Sequence, residues 1–258
     1  MTDTVVSLVA AAMRADSDAL RTVSQNVANA ESVAYRRRIP VAHTSFAELS
    51  AVNAALTAGA HASALQASAA PGGSALPSIE SSTVVDMQAG TMRQTSQALH
   101  VAIDGPGFFV VGTPQGDAVT RSGDFRVDEQ GVLTTANGQP VMGEQGPIVV
   151  GDVAPVIEAD GTVRVRGASA GRLRIVEVSD PQQLAALGDG SFAAPAGVEL
   201  IDTATARVRQ GFLETSNVSA VGEVIRMMEI VRHFEATQRL ARTHDDMMSK
   251  AISQLGRV

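Results

Sequence analysis

The sequence predicts an α+β protein in which long N- and C-terminal helices, paired in coiled-coil fashion, flank one all-β domain of short antiparallel strands. Three observations predict it. Apolar residues recur every seven positions at both ends, tight-turn dipeptides punctuate the middle, and an Ala/Ser/Gly-rich stretch separates the first helix from those turns. The expected divisions are 1–38 for an N-terminal helix, 39–83 for a connector, 84–209 for the β domain and 210–258 for a C-terminal helix.

From residue 3 to about residue 34, Val6, Met13, Leu20, Val27 and Ala34 form one heptad row. Val9, Val23 and Ala30 fill most of the row offset by three, which Asp16 interrupts. No Pro or Gly occurs before Pro40, so nothing in the segment breaks a helix. Residues 47–78 are then rich in Ala, Ser and Gly, and their later half, ending in Pro71-Gly72-Gly73, reads as a flexible connector.

Between about Val84 and Arg209 the signals are β. Runs at Val101–Ile103, Phe108–Val111, Ile148–Val150 and Arg172–Val178 alternate with turn pairs. Those pairs are Asp104-Gly105, Gln115-Gly116, Gln130-Gly131, Asn137-Gly138, Asp160-Gly161 and Asp189-Gly190. Many short antiparallel strands joined by tight turns follow.

At the far end Ala220, Met227, Phe234, Ala241, Met248 and Leu255 repeat the seven-residue spacing, and Val221, Val224, Ile225, Met228, Ile230 and Val231 widen the stripe. Ser216 or Ser219 suits the N-cap, and Glu223 suits the positive end of the helix. A helix from Ser219 to Leu255 would run roughly 55 Å. Two seams of this kind, set apart from a β core, are expected to bury against each other and against the same seams of neighbouring chains. The candidate subunit-interface residues are Val6, Met13, Leu20, Val27, Asn26 and Asn29 in the first segment, with Met227, Ile230, Phe234, Met248 and Leu255 in the last.

Composition narrows the function classes. A net charge of −7 argues against attraction to nucleic acid or an anionic membrane. The absence of cysteine removes disulfides, thiolate catalysis and Cys-ligated metals. His43, His61, His100, His233 and His244 make no zinc motif, and Gly105-Pro106-Gly107 lacks the lysine and following helix of a phosphate loop. No acid pair and no nucleophile elbow stands out, so no catalytic residue, metal or cofactor is expected, and no small-molecule substrate. The first residues lack the basic n-region of a Sec signal, and Val5–Met13 is too short to cross a bilayer.

Three segments, in order, carry a family resemblance. Ser24-Gln25-Asn26-Val27-Ala28-Asn29-Ala30 with Ala34-Tyr35-Arg36 resembles the N-terminal signature of the bacterial flagellar axial family, the rod and hook proteins. Leu99–Val111, running into Thr120-Arg121-Ser122-Gly123-Asp124-Phe125, is similar to that family's core strand and turn. Gln210-Gly211-Phe212-Leu213-Glu214-Thr215-Ser216-Asn217-Val218, then Glu229 to Phe234-Glu235, resembles its C-terminal helix and the residues that lead to it. Ala34 departs from the family's Gly before the aromatic, a position suited to left-handed backbone.

The resemblance implies a structural rod subunit that polymerises through its terminal helices, with no enzymatic activity. At 258 residues there is little room for the large inserted domain of hook subunits. Gly138–Ile148, and the run from Gly171-Arg172-Leu173 to Asp189-Gly190-Ser191-Phe192, resemble the proximal rod type more than the distal type, which is the alternative. An extracellular β-domain binding or adhesion module is a further alternative, though it leaves both terminal seams unused. Implied partners are the chain itself, other rod proteins, hook-side axial proteins and the flagellar type III export apparatus; the implied place is the basal body, where the rod spans the periplasm. Arg36-Arg37-Arg38 is expected at a helix C-terminus, where the dipole favours cations, with a neighbour's carboxylate as the other reading.

Overall fold

The computed structural model describes residues 2–44, 79–188, 190–195, 198–203 and 206–255. The protein is α+β. Helix α1 spans Thr2–Ala28, helix α2 spans Ala220–Leu255, and short antiparallel strands fill the region between them. The chain divides into two compact units. The first comprises Met1–Gln25, Arg38–Val84 and Val221–Val258, and the second Asn26–Arg37 and Val85–Ala220.

Helix α1, whose residues up to Gln25 belong to the first unit, follows its uninterrupted sequence but stops at Ala28, short of the expected end near residue 34. Polar side chains explain the stop. Asn29 Oδ1 accepts from Ser32 Oγ at 3.1 Å, and the last amides tighten to i→i−3 bonds such as Asn29 N to Asn26 O at 3.2 Å. Asn and Ser here offer the backbone an alternative to the helical ladder. The connector expected over 39–83 opens and closes on strands Arg38–Thr44 and Ile79–Val85, which pair as a two-stranded sheet. Pro40 is tolerated there because both strands of such a ribbon are edges. The rest of the Ala-rich stretch, from 45 to 78, lies outside the described residues.

The second unit is built on a six-stranded antiparallel sheet. Its spatial order is Ala185–Ala186, Ser191–Ala193, Gly116–Thr120, Phe108–Thr113, Ile175–Val178 and Leu200–Asp202. The Phe108–Thr113 strand is buried on both faces. Phe109 joins a core with Val101, Ile103, Phe125, Leu133 and Ile175, while Phe108 and Val110 join a second core with Val119, Val176 and Phe192. Successive side chains point to opposite faces, so a continuous apolar run in a strand marks a layer covered on both sides. The Phe109 and Phe125 rings meet edge to face, 5.2 Å apart at 73°.

Two expected strands differ. Ile148–Val150 keeps the alternation of a half-buried strand, with Val149 55% exposed between buried neighbours. It nevertheless makes only an isolated bridge, Val149 to Val132, because its amides bond Val141 and Gly131 instead. The run Arg172–Val178 splits, since the amides of Leu173 and Arg174 bond Gly161 and Met142 and leave strands Ala168–Arg172 and Ile175–Val178 on either side.

Candidate functional site: a buried ionic junction and the faces of two helices

The three motif segments of the sequence converge inside the second unit on one carboxylate. Glu214 ends the strand Phe212–Glu214 and is 3% exposed. Its Oε1 lies 2.7 Å from Arg36 Nη1, its Oε2 lies 3.1 Å from Arg121 Nε, and Oε1 also accepts from the Gly90 amide at 3.0 Å. Arg36 and Arg121 are themselves 3% and 6% exposed. Two guanidiniums and one carboxylate leave the cluster with excess positive charge, and backbone carbonyls take up three further donors. Arg121 donates to Gly107 O at 2.6 Å and Gly105 O at 2.8 Å, and Arg36 donates to Gln88 O at 2.7 Å. Burial holds the Arg121 guanidinium below the usual arginine range; Glu214 opposes that shift and Arg36 adds to it. Arg36 Nε is buried without a hydrogen-bond partner.

Around this cluster the polypeptide is tied at both ends. Ala34 N donates to Glu214 O at 2.9 Å, and Asn217 N donates to Tyr35 O at 3.3 Å. Asn217 Oδ1 accepts from Arg37 N at 2.7 Å, while its Nδ2 donates to Asp86 O and Gln88 O, each at 3.0 Å. Asn26, fully buried, accepts from the Tyr35 hydroxyl at 3.1 Å. Ala34 therefore adopts the turn that the sequence left open. Its φ is +54°, the left-handed region in which glycine is unstrained, and its methyl group is buried. We expect Ala34→Val, β-branched and larger, to cost about 2 kcal/mol in chemical denaturation. Ala34→Gly should be nearly neutral, because relief of backbone strain is offset by the lost methyl and a freer unfolded chain.

The arginine triplet does not sit in the last turn of α1. Arg36 lies beyond the turn that follows the helix and grips a carboxylate of its own chain, because the turn at Ala34 carries it inward.

Of the candidate interface residues, Met13, Leu20, Val27 and Asn29 are half-buried on or just after α1, and Asn26 is buried among its own chain's polar groups. Met227, Ile230 and Phe234 are half-buried on one face of α2. The side chains of Val6, Met248 and Leu255 lie outside the described residues. Val221, Val224, Ile225, Met228 and Val231 are exposed, and at about 100° per residue they widen the apolar stripe beyond Met227 onto a second, exposed face of α2. A bond from His233 Nδ1 to Asp16, 2.8 Å from Oδ2, joins α2 to α1.

Sequence reasoning missed Glu214 as a buried hub, although the motif containing it was the signal. It also missed Gln210, whose Nε2 bonds Ala98 O and Pro155 O at 2.7 and 2.8 Å while its Oε1 accepts from Ile157 N. A groove of about 360 Å³ elsewhere in the unit is lined by Glu144, Asp160, Arg172, Arg174 and Asp202. Its acids are taken up: Glu144 bonds Arg172, Asp202 bonds Arg174, and hydrogen bonds from the Thr162 amide and hydroxyl hold the Asp160 carboxyl below its ordinary range.

Comparison with known proteins agrees with the resemblance. Residues 102–165 match the family model described as the flagellar hook protein FlgE/F/G D1 domain. Residues 209–255 match the flagellar basal body rod FlgEFG protein C-terminal model. The flagellar basal-body rod protein FlgF of Rhizobium meliloti is 33% identical over 181 residues, covering 69% of this chain and 75% of the relative. FlgG of Buchnera aphidicola subsp. Schizaphis graminum is 33% identical over 179 residues, covering 64% and 68%. FlgF of Escherichia coli is 33% identical over 182 residues, covering 64% and 72%.

Proposed function

Because the chain belongs to the flagellar basal-body rod proteins of the FlgF/FlgG type, we propose that it polymerises into the rod through its two terminal helices. It is a structural subunit of the flagellar basal body and associates with other axial proteins. The observation that carries the proposal is the double apolar face of α2. One face holds the half-buried Met227, Ile230 and Phe234, while the other presents Val221, Val224, Ile225, Met228 and Val231 at 39% to 72% exposure. A stripe of that length on a soluble chain marks an interaction surface.

In this reading Met13, Leu20 and Val27 of α1, with Val6, pair in coiled-coil fashion with Met227, Ile230, Phe234, Met248 and Leu255 of α2. The exposed face meets neighbouring subunits, and Asn26 and Asn29 serve by shaping the turn after α1. The role is structural rather than catalytic. We place the polymer where the rod crosses the periplasm and infer delivery by the flagellar type III route; no described helix is long and apolar enough to cross a membrane. The proximal, FlgF-like position is favoured by the Gly138–Ile148 and Gly171–Phe192 stretches, with the distal, FlgG-like position as the alternative.

The test is complementation of a deletion strain with the full chain, a chain lacking 219–258, and Phe234→Asp. The full chain should restore hooks and swimming; the other two should not, while the β region of Phe234→Asp keeps its thermal transition. Normal swimming with either altered chain would sink polymerisation through α2.

A further inference from the structure

The sequence leaves one feature of α1 unexplained: Asp16 stands where Val9, Val23 and Ala30 would otherwise continue an apolar row. The structure supplies it with a partner 217 positions away, His233 of α2, whose Nδ1 lies 3.0 Å from Oδ1 and 2.8 Å from Oδ2. The Asp16 side chain is only 14% exposed, so without a donor its carboxylate would be stranded at a largely desolvated position.

We propose that Asp16 and His233 fix the register in which α1 pairs with α2, an inference that rests on the helix-pairing reading above. Heptad seams of Val, Leu, Met and Ala are nearly self-similar under a slip of three, four or seven residues, so apolar contact alone discriminates poorly between registers. The residues that such slips bring toward Asp16 are Glu229, Ile230, Ala236, Thr237, Arg226 and Leu240. Glu229 repels a carboxylate, and Ile230, Ala236 and Leu240 carry no side-chain donor. Thr237 donates its hydroxyl to His233 O at 3.0 Å. Arg226 has the right charge but lies 3.7 Å from the Glu223 carboxylate on its own helix, so bonding Asp16 would draw it away from that acid. The observed register satisfies Asp16 at no cost to another pair. A polar residue inside an apolar seam that gives up stability for a single register is an attested use of such groups.

The absence of cysteine makes the test clean. Arg21→Cys and Arg232→Cys, both at exposed positions, carry spin labels in the full chain, and pulsed electron paramagnetic resonance reads the distance between them. The parent should show one narrow distance. Asp16→Val, which completes the apolar row, should retain helicity by circular dichroism yet show added populations displaced by up to about 10 Å, seven residues of helical rise. The exchanged pair, Asp16→His with His233→Asp, should restore the single distance. A narrow, unshifted distance in Asp16→Val overturns the register role alone, as does an exchanged pair that stays broad. A parent with no defined distance overturns the pairing of the helices together with it.

Discussion

Glu214→Ala should destabilise the β region by about 3–5 kcal/mol, as much as truncating a fully buried phenylalanine. The substitution leaves two guanidiniums, Arg36 and Arg121, buried with no anion between them. It also strips the Gly90 amide of its acceptor. Because the loss comes from stranded charge rather than from the net worth of the ion pairs, it should be strongly non-additive. Replacing all three residues together, Arg36→Met, Arg121→Met and Glu214→Leu, should cost less than Glu214→Ala alone. Urea denaturation followed by far-ultraviolet circular dichroism checks both, and a triple variant weaker than the single one would show that the pairs themselves hold the fold.

Gly123→Ala should be almost as severe, about 3 kcal/mol, with a loss in Tm on the order of 10 °C. A β-carbon at Gly123 would fall 1.6 Å from the carbonyl oxygen of Val101, and Gly123 O accepts the Val101 amide at 3.0 Å, so neither chain can retreat without breaking the contact. Gly138→Ala is the internal control. Its φ of +79° strains any side chain, but nothing lies within 4 Å of the added carbon, so it should cost only about 1 kcal/mol. Equal melting temperatures for the two variants would show that the close approach at Gly123 relaxes at no greater cost than a side chain in left-handed backbone.

The contrast between these glycines shows what a sequence reveals and what it hides. Turn glycines were legible because an Asp, Asn or Gln beside a Gly between apolar runs is a local signal; Gly105, Gly116, Gly131, Gly138, Gly161 and Gly190 all take positive φ. Gly90 and Gly123 were not, because each is needed by a chain segment far away: Gly90 lies against Thr215 and Gly123 against Val101. The same division runs through the site. The heptad rows are local periodicities, and a helix forms along each, although α1 stops at Ala28, before Ala30 and Ala34 of its rows. Glu214, by contrast, gains its meaning only when Arg36 and Arg121 arrive from elsewhere in the chain; the motif around each residue marks its own segment but not the meeting. The two faces of α2 fall between these cases. Val221, Val224, Ile225, Met228 and Val231 were visible as apolar residues, but only solvent exposure distinguishes a face without cover from one already half-buried.

The ties joining residues 34–37 to residues 214–217 bear on how the second unit carries load. They close the β domain into a loop whose two strands of exit are held side by side near residues 26 and 220. A pull on those exits is met first by Ala34–Glu214, Tyr35–Asn217, Arg37–Asn217 and the Arg36 ion pair acting in parallel, and only afterwards by the strand ladders behind them. Bonds loaded together yield at a higher force than bonds opened one at a time. In a subunit of the flagellar basal-body rod, tension across residues 26 and 220 would thus strain this junction before the interior of the β domain.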